Sequence, residues 1–220
     1  MFIAAGLGLG LMISGCGGGG GNGGGSDPDS YLPLEVGNSW EYRMTLAPGL
    51  IPAQVEQNQE FDYHETVIGI GVDQGLQHFV IQAVREETET YPELETFQLR
   101  RVDANAIYAR LPLFDDAHNF TGYYDSPHLK LPPRLGDTWE DPEVEASFTT
   151  AAVDEQITVP AGTFSSVRVE QSSSIPGPDG TSLPFTIKTW YALGVGIVKD
   201  ETWEGDVKTS MIELREYDLR

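Results

Sequence analysis

The chain of 220 residues has one cysteine, Cys16, and only four lysines. A lone cysteine excludes an intrachain disulfide, so packing and backbone pairing must hold the fold. Basic residues number 13 against 34 acidic ones, a net charge of −21. Such a surface repels phosphates and anionic headgroups, which argues against nucleic acid as a partner. It is solubility chemistry, and suits a salty medium where self-repulsion is screened. The apolar run at the start is shorter than the roughly 20 residues a membrane-spanning helix needs. Nothing beyond it carries a sustained helical stripe. Nucleophile signatures are missing too, with no G-x-S-x-G elbow and no second cysteine. The G-V-G at Gly194–Gly196 leads into a strand pattern rather than a helix N-terminus, so it is no phosphate cradle. No cofactor is implied.

What is present starts at the N-terminus. MFIAAGLGLGLMISGC is an apolar run with small residues before its cysteine, as in a secretory signal. Ile13-Ser14-Gly15-Cys16 resembles the lipobox of bacterial lipoproteins. That resemblance implies cleavage before Cys16 and acylation of its thiol and new amino group. Met1 to Gly15 carries no charge, where a signal normally opens with Lys or Arg; a start recorded too far downstream would give this. Gly17 to Gly25, broken only by Asn22, is a linker composition that behaves as flexible coil. Acyl chains contribute about 0.8 kcal/mol per buried CH₂, so two or more anchor stably. The expected organisation is a signal peptide over 1–15, a lipidated cysteine and tether over 16–30, and a β-rich domain over 31–220. That domain divides into possible halves at 31–130 and 131–220.

Short alternating stretches rich in Val, Ile, Thr, Phe, Tyr and Trp, broken by Gly, Pro, Asp and Asn, fill the rest. This pattern predicts antiparallel strands and turns. Trp40, Tyr42 and Met44 share one face, as do Phe79, Ile81 and Ala83, and Phe97, Leu99 and Arg101. About ten to twelve strands at this spacing predict an all-β fold: a curved sheet, an incomplete barrel or a sandwich. Leu46 to Gln59 reads as a loop or short helix. Leu113 to Pro133 reads as a long, aromatic, proline-punctuated loop, of a kind often functional.

LPLEVGNSWE (32–41) recurs as LPPRLGDTWE (131–140), 99 residues later. Each copy has a proline to halt regular structure, a glycine free to take positive φ, and a tryptophan sized to cap a core. The repeat therefore reads as a strand-opening device used twice rather than a duplicated ligand site. VPAGTF (159–164) has the composition of a hairpin with a bulge. Tyr31, Pro33, Leu34, Gly37, Trp40 and Tyr42, then VPAGTF, then WYALGVGIVK (190–199), together resemble a group of largely uncharacterised bacterial lipoproteins. The resemblance implies an exported, anchored β-rich domain. With Gly17 rather than Asp after the cysteine, it implies the outer membrane of a Gram-negative bacterium.

Candidate chemistry is sparse. Asp115, Asp116, His118, Asp125 and His128 cluster in the long segment and could offer carboxylate and imidazole ligands to zinc or manganese, though at no recognised spacing. No D-x-D-x-D-G loop offers a calcium site. His64 and His78 fall in strand patterns. Three functional expectations follow. The first is a non-catalytic domain, anchored to the membrane by lipid, that binds an apolar ligand or an envelope protein. The second is a hydrolase using carboxylates or a metal in 113–133. The third is a spacer with a filled interior.

Overall fold

The computed structural model describes residues 30–48, 58–73, 75–88, 92–115, 119–176 and 181–220. Cys16, its tether, Asp116 and His118 lie outside these. Twelve strands form one antiparallel sheet, and no helix occurs among the described residues. They are β1 (Ser39–Leu46), β2 (Gln59–Asp73), β3 (Leu76–Arg85), β4 (Leu94–Val102), β5 (Ala106–Phe114), β6 (Phe120–Lys130), β7 (Thr138–Asp141), β8 (Ala146–Val159), β9 (Gly162–Pro176), β10 (Ser182–Ala192), β11 (Gly196–Glu204) and β12 (Val207–Asp218). Their spatial order, β6-β5-β4-β3-β2-β1-β12-β11-β10-β9-β8-β7, joins two six-strand meanders through the β1–β12 ladder.

The sheet curls into a nearly closed barrel with one unsealed seam, between β6 and β7. Arg100 on β4 interacts electrostatically with Asp200 on β11 and Tyr191 on β10. Those strands stand five and six places away round the sheet. At about 4.8 Å per strand a flat sheet would hold them more than 20 Å apart. At the seam no ladder forms, and side chains bridge instead. Trp139 Nε1 donates to Pro127 O at 2.7 Å, Lys130 Nζ donates to Thr138 O at 3.1 Å, and the Ser126 hydroxyl donates to Asp141.

The long segment expected to be a loop is mostly strand. β5 runs on to Phe114, and β6 occupies 120–130. Proline misled the pattern: β6 is an edge strand, where a missing N–H costs no ladder bond. Pro127 also sits beside a register shift, opposite Tyr108. Among the described residues of that segment only Asp115, Asn119 and the connection from 131 lie outside strands, and Asp115 is bonded to Asn119.

The repeated phrase is architecture in both copies. Gly37 (φ 96°) donates to Val67 O at 2.8 Å, and Gly136 (φ 84°) to Thr150 O at 2.9 Å. Asn38 and Asp137 then each accept a return bond at 2.9 Å, from the Val67 and Thr150 amides. Both tryptophans are buried, and each indole N–H donates at 2.7 Å to a carbonyl, Trp40 to Val195 and Trp139 to Pro127. β7 thus stands in its meander as β1 stands in the other, but β1 is also paired to β12, whereas β7 has no ladder to β6.

Register round the ladders fixes which side chains face inward, since neighbours alternate and directly paired residues share a face. Trp40, Tyr42 and Met44 point inward as expected, with Tyr63, Glu65 and Val67 of β2 and Ile81 and Ala83 of β3. On β4 the shared face of Phe97, Leu99 and Arg101 is the outer one, and Gln98 and Arg100 face inward. The packed core fills the lower end, where residues 31–38 join the barrel. Leu32, Trp40, Val67, Ile107, Leu129, Trp139, Phe148, Tyr191 and Leu214 are buried there.

Candidate functional site

Above the core the inner wall changes character. Met44 and Leu46 of β1, Leu111 and Leu113 of β5, Ile175 of β9, Phe185 and Ile187 of β10 and Ile212 of β12 share the inward face. All of them are only half-buried. The strand ends around them are exposed, with Leu94 and Leu183 inward and still in contact with solvent. The upper barrel is therefore a cup open at the top, its wall setting these apolar side chains among the inward polar ones Arg85, Thr96, Gln171, Ser173, Thr202 and Ser210.

Its floor is polar. Tyr63 OH donates to Glu65 Oε1 at 2.9 Å and accepts from Gln98 Nε2 at 3.2 Å. Arg100 donates to Gln98 Oε1 through Nη2 at 2.7 Å and Nε at 3.2 Å, and its Nη2 stands 3.9 Å from Glu65 Oε1. Across the lumen Thr189 Oγ1 donates to Asp200 Oδ2 at 2.7 Å. Burial pushes Asp200 up to about 6, with Glu201 and Glu65 adding to the shift and the Thr189 bond and Arg100 opposing it. Burial disfavours charge on Arg100, but Glu65 and the tyrosines around it prevail and raise its pKa. Tyr42, Tyr63 and Tyr191 are raised by burial first and by carboxylates second, so all three hydroxyls stay neutral. His128, its ring 5.9 Å from that of Phe148, is pushed down to about 4 by burial and by Arg100, with Asp141 opposing.

The five residues singled out as a metal set do not converge where they are described. Asp115 is at the β5–β6 turn. Asp125 faces outward from mid-β6, bound by His78 Nε2 at 3.0 Å, Arg101 Nε at 2.9 Å and Arg110 Nη1 at 2.9 Å. Two guanidiniums on one carboxylate hold it below the usual range, although burial opposes them. They also repel any cation. His128 looks the other way, onto the core. Among the described residues no group of three His, Cys, Asp or Glu side chains is arranged to hold a metal. Outside the wall, beside the seam, an open groove of about 520 Å³ is lined by Tyr108, Pro127, Lys130, Pro132 and Arg134 among others.

Sequence reasoning missed Glu65, Arg100 and Asp200. The available signal was phase: Glu65 falls on the inward beat between Tyr63 and Val67. Asp200 is flanked by Lys199 and Glu201, which are no less polar, and beside Arg100 the apolar Phe97 and Leu99 mark the outer face instead, so only the ladder partners settle the matter.

The DUF3108-like family profile matches residues 143–214, from the β7–β8 turn into β12. No curated protein matches the chain. Two solved structures share its fold. One is a Bacteroides fragilis protein described as exported, with a YmcC-like fold; it is 14% identical, with a TM-score of 0.53 over 85% of this chain and 98% of that one. The other, described as a lipoprotein of Parabacteroides distasonis, is also 14% identical, with a TM-score of 0.54 over 87% of this chain and 100% of that one. At that identity the likeness is one of fold alone.

Proposed function

We propose that this chain is a non-catalytic lipoprotein of the cell envelope whose barrel holds an apolar or amphipathic ligand. The observation that carries the reading is the cup: eight inward apolar side chains, from Met44 to Ile212, left half-buried by the chain's own packing. Burying an apolar side chain contributes about 1.5–3 kcal/mol, so an unfilled cup forgoes stabilisation that a ligand would recover. A spacer has no need of it. Anchoring through Cys16 to the outer membrane, and kinship with the lipoproteins sharing its three phrases, complete the proposal. The exported protein and the lipoprotein of like fold support a place in the cell envelope. Native mass spectrometry of residues 26–220, exported without the anchor and purified gently from a bacterial periplasm, tests the ligand. A discrete added mass that organic solvent removes is expected; a bare polypeptide that also fails to take up apolar probes would overturn the reading.

A further inference from the structure

We propose that the ligand reaches the cup sideways, through a gap in the upper wall between β6 and β9, and that its polar head remains outside. This rests on the cup reading above. The gap follows from strand lengths. β7 has four residues, and β8 begins level with its end, at Ala146 paired to Asp141. The β8–β9 ladder ends at Ser147 with Ser172, yet β9 continues to Pro176, paired to β10 alone. On the other side β6 continues up to Phe120, paired to β5 alone. Above the 142–145 turn, two strands' worth of wall is therefore missing among the described residues. Three strand spacings set the axes of β6 and β9 about 14 Å apart and leave about 10 Å clear between them, enough for alkyl chains side by side. Its β6 lip is aromatic: Phe120 is 49% exposed and packs edge-on to Tyr123 at 4.9 Å and to Phe114 at 6.2 Å.

The floor fixes which part of the ligand goes in. Glu65, Tyr63, Gln98 and Arg100 are already linked to one another by hydrogen bonds, so a buried headgroup would have to compete with those bonds. An unmade buried hydrogen bond costs about 1–3 kcal/mol. The ligand class is thus an amphiphile whose alkyl chains fill the cup while its head stays at the gap.

Residues 26–220 hold every described residue and no cysteine, so single cysteines can be placed at will. Ser174→Cys, exposed on the β9 lip, and Thr45→Cys, on the opposite wall in β1, would each be biotinylated and capped with streptavidin. Two probes are used: diphenylhexatriene, which has no head, and a phospholipid with a fluorescent acyl chain, delivered from vesicles. The expected result is that both proteins bind diphenylhexatriene, while capping at Ser174 alone slows lipid uptake on the order of tenfold. Equal lipid uptake in the two capped proteins, or equal slowing, would overturn the gap and leave the cup standing. Failure of the uncapped protein to bind either probe would overturn the cup, and the gap with it.

Discussion

Four side chains decide how this barrel responds to substitution and to acid. Trp40→Phe and Trp139→Phe each remove an indole N–H and leave a carbonyl, of Val195 or Pro127, without its 2.7 Å donor. An orphaned buried acceptor costs about 1–3 kcal/mol. In a domain this size that lowers Tm by about 2–10 °C. Thermal unfolding should show the loss for both variants with ligand still bound; loss of binding at unchanged Tm would make the tryptophans ligand contacts. Asp200 carries a folded pKa of about 6 against an unfolded value of 3.8. Its charge therefore destabilises the fold above about pH 6, and the penalty is relieved as pH falls toward 4. Asp200→Asn is expected to stabilise by up to ~3 kcal/mol at pH 7 and by little near pH 4, measured by urea unfolding. His128 works in the opposite sense. Its folded pKa of about 4 lies below the ordinary 6.5. The neutral ring is free of penalty above pH 6.5, and stability drains as pH falls through 4. His128→Asn should flatten that part of the profile.

Among the strands, the contrast between the two joints is the informative one. β1 is hydrogen-bonded on both sides, to β2 and β12, while β6 has only β5. Amide exchange should accordingly be faster for alternate residues of β6, those whose N–H points at the seam, than anywhere in β1. Equal protection along both strands would mean that the seam is sealed in solution. Ser126→Ala tests the latch itself, because Asp141 loses its hydroxyl donor in a buried place. A cost of about 1–3 kcal/mol in chemical unfolding is expected. The elements were largely legible in the sequence, since alternation and turn residues mark strands wherever the neighbours are undemanding. β6 was the failure. Pro127 and the run FTGYYDSPHLK read as a loop because sequence does not say which strand ends up at an edge, where proline is tolerated.

At the scale of the molecule, charge and shape act separately. The chain's thirty-four acids repel one another, and counterions screen them within about 10 Å at 0.1 M salt. Tm should therefore climb as sodium chloride is raised from millimolar to molar concentration; a flat response would mean the charges are already paired. By itself the sequence determined what depends on near neighbours and on composition: the all-β class, the acidic surface, and the double use of a Pro–Gly–Trp phrase to open a strand. It also set the expectation of a lipid-bearing Cys16. Only the tertiary structure decided what depends on partners far along the chain. It chose a barrel over a sandwich and paired β1 with β12 while leaving β6 and β7 apart. It also turned Gln98 and Arg100 inward and brought Arg100 within reach of Asp200 and Glu65. The physical reason is that a strand presents two faces at every residue step, and its own sequence marks the inner one only when that face is the more apolar. On β4 it is not, so the polar floor of the cup became visible only once the ladders assigned the faces.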